Sequence, residues 1–382
     1  MRVGIFVVMA GREAGGPETY ERCLVRSLAA LGGADDLRVF CLDRRARESF
    51  TPGAPGAAGV SYHVLRPSAR WVSITATLPW RLWRGGIDLL HATFIPPPFS
   101  PTQYVFTMHC FSTFAHPEFY PPAIRWRLNS SIKRGLGQAR LILCVSENVR
   151  DLTAEKFKLP PERLQVVYNG IGDEFLPRAG EETERDAARR EVAAQYDIHD
   201  PYLLFVGQLK ARKNVVRLLE AFHRFRQEAP AEVKLVLAGR RSFTSEGINE
   251  TLERLRLRQS VVELGHLRHE ALPALYRAAE VFVFPSLWEG FGIPVIEAMA
   301  CHTPVVTSNV SSLPEVAGGC AVLVDPYSVE DLAAGMYRAY TDAGLRAVLR
   351  AKGFDRANQF TWQRTARETL AAYQAAGQML AA

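Results

Sequence analysis

Short apolar runs that alternate with helical patterns are the feature that most constrains the fold of this chain. Runs of four to seven residues, separated by segments with apolar residues at helical spacing, are typical of parallel strands joined by crossover helices. Seven runs lie in the first half of the chain: VGIFVVM, LRVFCL, VSYHVL, DLLHA, YVFTM, RLILCV and LQVVY. Six lie in the second half: YLLFVG, VKLVLAG, SVVELG, VFVFP, PVVTS and AVLV. The sequence therefore predicts an α/β protein with two parallel sheets.

The length of the chain favours two domains. The chain has 382 residues, and a single hydrophobic core stops growing beyond about 250–300 residues. We predict an N-terminal domain over 1–178 and a C-terminal domain over 199–359. The segment 179–198 carries acidic and basic residues without a clear apolar face, which predicts an interdomain connection. We expect a C-terminal helix at about 360–382 to pack back on the first domain.

Composition and charge predict a soluble globular protein of the cytoplasm. Hydrophobic residues make up 48% of the chain and charged residues 23%, which is ordinary for such proteins. The formal net charge of +6 suits phosphate-bearing ligands or an anionic membrane surface, although scattered solvated arginines give the same excess. The six cysteines lack C-x-x-C spacing, no run of 18 apolar residues occurs, and the N-terminus lacks the cleavage site of a signal peptide.

Two glutamates eight positions apart carry the strongest chemical signal, in the segment EGFGIPVIEAMAC. Pro294 is expected to be the first helical residue, so that Gly292 and Ile293 present backbone N–H groups to an anion at the helix N-terminus. Glu289 then lies on the preceding loop and Glu297 in the first helical turn, where carboxylates can accept hydrogen bonds from vicinal hydroxyls. This combination describes a sugar nucleotide. The alternative is that both glutamates are solvated charges.

Two other loops follow predicted strands. GQLKARKN begins at Gly207 after the strand YLLFVG, and its Arg212 and Lys213 emerge where ligands of doubly wound sheets bind. Such cations suit a diphosphate, although loop-tip cations are often only solvated. In AGREAGGPE, Gly15 and Gly16 follow the first strand and allow the backbone to approach a ligand closely.

In this order, these segments resemble the retaining GT-B glycosyltransferases of family 4, also called glycosyl transferases group 1. The resemblance covers nearly the whole chain and includes VFTMHCFSTFAHPEFY, ARLILCVSENVRDL, LLFVGQLKARKNVVRLLEAF, VFVFPSLWEGFGIPVIEAMAC and SSLPEVAGGCAVLVDP. It implies two Rossmann-like, doubly wound domains that face each other across a cleft. The C-terminal domain would bind the nucleotide sugar and the N-terminal domain the acceptor.

The resemblance also implies roles for individual residues. Glu289 would contact the transferred sugar, and Glu297 the ribose of the donor. Arg212 and Lys213 would bind the diphosphate, and His109 of TMHCF would stabilise the transferring sugar at the cleft edge, unless it is only a hydrogen-bonded histidine at a strand end. The implied catalytic residues are His109, Glu289, Lys213 and Arg212. The implied donor-binding positions are Gly15, Gly16, Gly207, Arg212, Lys213, Glu289, Phe291, Gly292, Ile293 and Glu297, with Gly16 near the distal phosphate.

Two positions depart from the family's pattern. Gln208 stands where many relatives have a cation, and Cys110 follows His109 where many have aspartate. The first departure would weaken diphosphate binding, and the second changes the acceptor side. Neither an isolated D-x-D nor a His/Cys cluster with zinc spacing occurs. We therefore expect no metal and no cofactor, with the leaving diphosphate neutralised by cations and helix N–H groups.

These observations predict a retaining, metal-independent hexosyltransferase. We expect it to transfer mannose from GDP-mannose to a glycan or lipid-linked acceptor in cell-surface polysaccharide or glycoconjugate synthesis, with no nucleic-acid partner. The segment 66–86 mixes three tryptophans with four arginines and would contact a lipid-linked acceptor at the inner membrane leaflet, or else is an ordinary surface helix. Two alternatives remain, a nucleotide-sugar epimerase of the same fold and a catalytically silent binding subunit. Released nucleoside diphosphate would separate all three.

Overall fold

The computed structural model of the chain describes residues 1–13, 15–32, 36–50, 60–67, 69–177, 180–230, 232–241 and 247–381. These residues form two compact units. The first unit comprises residues 1–170 together with the C-terminal segment from Thr361, and the second comprises Ile171–Phe360. The units therefore divide at Gly170 and Thr361, whereas the sequence analysis expected boundaries near 178, 199 and 359.

The first unit is built on a seven-stranded parallel sheet of order β3-β2-β1-β4-β5-β6-β7 in the described part of the chain. Its strands are β1 (Arg2–Val7), β2 (Asp36–Cys41), β3 (Val60–Val64), β4 (Leu89–Ala92), β5 (Gln103–Met108), β6 (Leu141–Cys144) and β7 (Leu164–Val166). Its helices are α1 (Gly16–Leu31), α2 (Arg44–Glu48), α3 (Arg70–Val72), α4 (Leu78–Arg84), α5 (Ser112–Ala115), α6 (Pro122–Gln138) and α7 (Glu147–Phe157).

The second unit has a six-stranded parallel sheet of order β10-β9-β8-β11-β12-β13 among its described residues. Its strands are β8 (Tyr202–Val206), β9 (Lys234–Ala238), β10 (Val261–Gly265), β11 (Val281–Phe284), β12 (Val305–Ser308) and β13 (Val322–Val324). Its helices are α8 (Glu181–Tyr196), α9 (Val215–Glu228), α10 (Ile248–Arg254), α11 (Leu272–Ala278), α12 (Ile293–Ala300), α13 (Leu313–Ala317), α14 (Val329–Thr341) and α15 (Ala343–Ala357). The last helix of the chain is α16 (Trp362–Ala381).

The predicted architecture of two doubly wound parallel sheets is confirmed, because each of the thirteen predicted runs overlaps a strand. In each sheet the first strand has neighbours on both sides: β1 lies between β2 and β4, and β8 lies between β9 and β11. The strand order reverses at β1/β4 and at β8/β11. The loops at these two positions lie at the carboxyl edge of the sheet, where open α/β sheets bind ligands.

The segment 179–198 differs from the predicted connection, because most of it is helix α8 of the second unit. Ala188 and Val192 are its buried residues. Ion pairs also hold the helix: Arg185 lies 2.7 Å from a carboxylate oxygen of Glu280, and the guanidinium of Arg277 lies 2.9 Å from a carboxylate oxygen of Glu184 on α8. The apolar face that the sequence analysis sought is therefore replaced in part by ion pairs.

Helix α16 belongs to the first unit. Trp362, Ala366, Tyr373 and Ala376 lie in the same hydrophobic cluster as α1 and β1. The Tyr373 hydroxyl lies 2.7 Å from Nδ1 of the buried His91 on β4. In the described residues no helix is both long enough and apolar enough to cross a membrane.

Candidate active site

The loops that follow β8 and β11 meet at the reversal point of the second sheet. After β8 the chain forms a single 3-10 turn, Ala211–Lys213, and α9 begins two residues later. The Leu287 N–H donates to the carbonyl oxygen of Arg212 at 2.9 Å, which joins this turn to the loop after β11. This backbone link brings the cations of the first loop beside Glu289 of the second.

Arg212, Lys213 and Glu289 form one buried cluster. Oε1 of Glu289 lies 2.5 Å from Nζ of Lys213 and 2.9 Å from Nη1 of Arg212. Lys213 and Glu289 are 8% and 9% exposed. Arg212 also donates to the carbonyl oxygen of Trp288. The sequence analysis named all three charged residues but did not predict that they contact one another.

The cluster carries two positive charges and one negative charge. Burial raises the pKa of Glu289, but the neighbouring Arg212 and Lys213 lower it by more, to about 2. Burial lowers the pKa of Lys213 to about 8, against the opposing influence of Glu289. All three groups are therefore charged at neutral pH, and their sum is one desolvated positive charge. Such a site favours an anionic group.

Backbone geometry leaves room beside Lys213. Gly207 has φ +149°, and a Cβ atom built on it would lie 3.8 Å from Nζ of Lys213. A Cβ atom on Gly239, at the end of β9, would lie 1.9 Å from the carbonyl oxygen of Gly207. Glycine at 239 is thus required for the backbones of the two loops to approach each other. The Lys213 ammonium also lies 4.3 Å from the ring centroid of Phe284.

The helix that follows Glu289 begins one residue earlier than predicted. Helix α12 starts at Ile293 with Gly292 as its N-cap at φ +110°, so Pro294 is the second helical residue. Glu297 is therefore the fifth residue and lies in the second turn. The prediction of a first-turn acid is wrong on this point, and the interpretation of Glu297 as a solvated charge fails because it is 4% exposed.

Glu297 lies among other buried groups. The Tyr276 hydroxyl donates to Oε2 of Glu297 at 2.9 Å. Burial raises the pKa of Glu297, while His269 and the Tyr276 hydroxyl oppose the rise. The contacts of Glu297 are thus separate from the Glu289 cluster. Its predicted contact with a ribose stays a prediction.

Two serines hold the loop that carries Glu289. The Ser312 hydroxyl lies 3.0 Å from the carbonyl oxygen of Glu289 and 2.9 Å from that of Phe291, and Ser311 accepts from the Glu289 N–H at 3.1 Å. Ser312 is also the N-cap of α13. The sequence analysis quoted SSLPEV without assigning these residues a role. A serine directly before Leu-Pro is a helix-start signal that could have identified Ser312.

In the first unit, Gly15 and Gly16 lie where β1 leads into α1. Gly15 is the N-cap with φ +69° and ψ −136°, a conformation that favours glycine, and Gly16 is the first residue of the helix. The helix begins with glycine and proline ahead of Glu18, and Glu18 accepts from the N–H of Gly11 at 2.9 Å. The glycine turn between β1 and α1 is therefore present, and its close approach to a ligand stays a prediction.

Glu21 on α1 organises the loop after β1, and the sequence analysis missed it. Its side chain is completely buried and accepts the backbone N–H groups of Val8, Met9 and Ala10, each at 2.8 Å. The Thr93 hydroxyl, at the end of β4, lies 2.7 Å from Oε1. The available signal was an acid on the apolar face of a helix, because Glu21 lies three and seven residues before buried leucines.

His109 follows β5 at the same edge of the first sheet. Its Nε2 lies 2.7 Å from the carbonyl oxygen of Thr93, so this nitrogen carries the proton and Nδ1 is the acceptor. Its ring packs edge-on to Tyr20 with centroids 4.5 Å apart. Burial lowers the pKa of His109 to about 4, so the ring is neutral at neutral pH. Thr93 thus connects His109 to Glu21 and the glycine turn.

Comparisons with known proteins identify the family. The model described as Glycosyl transferases group 1 matches residues 189–356, and the model described as Glycosyltransferase Family 4 matches 14–175. The Escherichia coli O-antigen chain mannosyltransferase B is 34% identical over 70% of this chain and 69% of that protein. The chain belongs to glycosyltransferase family 4. It is therefore a glycosyltransferase of the GT-B fold.

Two more proteins resemble the whole chain. The MMP alpha-(1->4)-mannosyltransferase of Mycolicibacterium hassiacum is 28% identical over 98% of this chain and 98% of that protein. The protein in the crystal structure of Anabaena Alr3699/HepE in complex with UDP and glucose is 16% identical to this chain. The match covers 98% of this chain and 100% of the Anabaena chain, with a TM-score of 0.76. This structural likeness concerns the fold.

The described residues of this glycosyltransferase include no group of three or more His, Cys, Asp or Glu side chains able to hold a metal ion. The positive charge at the reversal point of the second sheet belongs to Arg212 and Lys213. The arrangement can therefore neutralise an anion with the chain's own side chains.

Proposed function

We propose that this glycosyltransferase transfers mannose from GDP-mannose, with retention of anomeric configuration and without a metal ion, to a glycan or lipid-linked acceptor. The product would be a cell-surface polysaccharide or glycoconjugate. The observation that carries the proposal is the buried cluster of Arg212, Lys213 and Glu289 at the reversal point of the second sheet.

The charges of this cluster suit a diphosphate beside a sugar. Arg212 and Lys213 can turn from Glu289 toward phosphate oxygens, and each charge-assisted hydrogen bond contributes roughly 1.5–3 kcal/mol. The released Glu289 carboxylate can then accept hydrogen bonds from vicinal hydroxyls of the sugar. With the pKa of Glu289 at about 2, this acceptor stays ionised over the physiological range. The cluster thus supplies both halves of a sugar-nucleotide site.

The reaction that we propose needs no base from the protein on the acceptor side. The bond between the sugar C1 and the phosphate oxygen breaks, and a bond from C1 to the acceptor oxygen forms on the same face of the ring. The acceptor's proton passes to the departing phosphate. Arg212 and Lys213 stabilise the negative charge of that leaving group, a form of electrostatic catalysis in which one donor is worth about 10²–10³ in rate.

Mannose is the proposed sugar because two relatives that resemble this chain over most of its length are named mannosyltransferases. One of them acts on the O-antigen chain, which supports a polysaccharide acceptor. GDP-mannose is the proposed donor on the same ground. A cytoplasmic location and a peripheral contact with the inner membrane leaflet complete the proposal, since a lipid-linked acceptor would lie at that surface.

A donor panel tests this proposal. Purified protein is incubated in excess EDTA with GDP-mannose, UDP-glucose, UDP-N-acetylglucosamine or dTDP-rhamnose and a short mannoside acceptor, and released nucleoside diphosphate is measured. We expect release from GDP-mannose only when acceptor is present. Glu289→Gln should abolish most of it, whereas Glu228→Gln, which changes an exposed glutamate of α9, should not. Isomerised donor without release, or binding without either, would contradict the proposal.

A further inference from the structure

Four of the six tryptophans of this chain are exposed, and all four belong to the first unit. Trp71, Trp80, Trp83 and Trp126 are exposed by 74%, 48%, 72% and 73%. Tryptophan is usually largely buried in folded proteins. Exposed aromatic side chains in this number indicate a surface that another phase or molecule covers.

Three of these tryptophans lie on the outward face of one helical segment. Helices α3 and α4 are joined without a break by a π-helical turn, Ser73–Thr77. The inward face of the segment is taken by Ile74, Leu78 and Leu82, which are buried. The outward face thus carries the bulkier aromatic side chains, the reverse of what a solvent-facing helix requires.

The fourth tryptophan lies on helix α6, whose buried residues are Gly135 and Leu136 alone in its described length of 17 residues. Trp126 and its neighbour Arg127 are exposed. Both helical segments belong to the first unit.

The sequence around these tryptophans is basic and contains no acidic residue. Residues 60–87 and 119–146 contain neither Asp nor Glu, although the chain has 40 acidic residues. The cations of these stretches are Arg66, Arg70, Arg81, Arg84, Arg125, Arg127, Lys133, Arg134 and Arg140. A surface that combines aromatic side chains with many cations is complementary to an anionic lipid headgroup layer.

We infer that the first unit docks on an anionic lipid bilayer through a tryptophan–arginine surface. This surface consists of Trp71, Trp80, Trp83, Trp126, Arg70, Arg81, Arg84 and Arg127. Tryptophan rings settle at the headgroup level, where one part of the ring is apolar and the other wet, and arginines bind the lipid phosphates. The inference rests on the membrane contact in the proposed function and assigns it to residues.

Vesicle sedimentation tests the inference. The full chain is mixed with vesicles of phosphatidylcholine alone or of phosphatidylcholine with phosphatidylglycerol, and the bound fraction is measured at low and high salt. We expect binding to the anionic vesicles that weakens with salt. Trp71→Ala/Trp83→Ala/Trp126→Ala should lower the partition coefficient at least about tenfold, because buried aromatic area drives interfacial binding.

A charge variant separates lipid headgroup attraction from apolar contact. Arg81→Gln and Arg84→Gln should each lower partition about fivefold, the value expected for one basic residue near an anionic surface. The matched control is Tyr327→Ala/Val348→Ala, which removes exposed apolar side chains of the second unit and should leave partition unchanged.

Three outcomes would overturn the inference: equal binding to neutral and anionic vesicles, no binding to either, or equal loss in the control variant. A tryptophan variant that dissociates a dimer in analytical ultracentrifugation without changing vesicle binding would do the same. Each variant is also assayed for nucleoside diphosphate release with a short water-soluble acceptor, where we expect wild-type rates. Intact release with failed vesicle binding would reject this surface and leave the proposed transferase reaction standing.

Discussion

Lys213 is a buried cation that depends on one carboxylate and lies over one aromatic ring. Among the described residues its only acidic partner is Glu289, which it shares with Arg212. A bound diphosphate would therefore compete with Glu289 for the same two cations. Diphosphate binding should therefore change the protonation of Lys213, and this change can be measured.

Nucleoside diphosphate binding should take up protons near pH 8. Burial lowers the pKa of Lys213 to about 8 in the free protein, and added negative charge raises it. At and slightly above pH 8 the free lysine is partly neutral, while the complex holds it protonated. Calorimetry with GDP in buffers of different ionisation enthalpy measures the uptake.

Lys213→Met should abolish this proton uptake and weaken GDP about 10- to 150-fold, the value of one charge-assisted hydrogen bond. Lys352→Met, an exposed lysine of α15, is the control and should change neither. A binding enthalpy that is independent of buffer in the wild-type protein would contradict this prediction.

The two glutamates of the second unit should differ in kinetics. Glu289→Gln should lower kcat about 10²- to 10³-fold, because we propose that Glu289 contacts the sugar through hydrogen bonds that strengthen in the transition state. It should leave GDP binding intact or tighter, since both cations lose a competing anion. Glu297→Gln should raise the donor KM and weaken GDP, because the ribose that we propose it binds is remote from the reacting bond. Steady-state kinetics and GDP calorimetry on both variants test this assignment. Equal effects of the two substitutions on GDP binding would refute it.

At the level of elements, Glu21 links three segments of the first unit. It accepts hydrogen bonds from the loop after β1 and from Thr93 after β4, and the carbonyl oxygen of Thr93 accepts from His109 after β5. Four donors converge on a carboxylate that can accept all of them. One side chain therefore connects residues 8–10 of the loop after β1 to Thr93, whose carbonyl oxygen accepts from the histidine that the sequence analysis selected.

Glu21→Gln should lower kcat by a larger factor than it weakens GDP. The amide has one acceptor oxygen, so at least one buried N–H loses its partner at a cost of about 1–3 kcal/mol, and the loop shifts. GDP affinity should change less than kcat, because Arg212 and Lys213 belong to the other unit. Kinetics and calorimetry are compared with Glu155→Gln, an exposed glutamate of α7. Wild-type kcat in Glu21→Gln would show that the network has no role in turnover.

Helix α8 should owe part of its stability to Glu280. Burial raises the pKa of Glu280, but Arg185 and Arg189 lower it by more. The ion pairs therefore stabilise the folded protein above the pKa that Glu280 has in the unfolded chain. This stabilisation is lost as the pH falls through the lower pKa of the folded protein. Glu280→Ala should reduce the free energy of unfolding by about 1–3 kcal/mol at pH 7, because the partly buried Arg185 and the exposed Arg189 lose their partner.

Thermal unfolding of wild type and Glu280→Ala at pH 7 and near pH 3 measures this contribution. The difference in Tm should shrink at the lower pH. Glu228→Ala serves as the control, and an equal Tm difference at both pH values would argue against the ion pairs.

The elements that the sequence predicted best are those set by burial. Each strand is a run of apolar residues, and burial on both faces of a parallel sheet makes that pattern visible. Helix α8 was not predicted as part of a domain because ion pairs replace much of its apolar face. Glu21 was missed because its partners are backbone N–H groups of another segment, which carry no sequence signal. Arg212, Lys213 and Glu289 were found by resemblance, but their mutual contacts required the structure.

At the scale of the whole molecule, the chain repeats one architecture twice with different chemistry. Each unit has a parallel sheet with a reversal point, at β1/β4 and at β8/β11. The first presents a glycine turn and a neutral histidine, and the second presents a net positive cluster. Family membership joins these two halves in one glycosyltransferase.

The anomeric configuration of the product tests the central claim most directly. GDP-α-mannose, a short mannoside acceptor and the protein are incubated in excess EDTA, and the one-bond C1–H1 coupling of the new linkage is read by NMR. The account predicts an α-linked mannoside formed in equal amount to GDP, at the same rate with or without added Mg²⁺ or Mn²⁺. A β-linked product, or turnover that EDTA abolishes and a divalent metal restores, would contradict it.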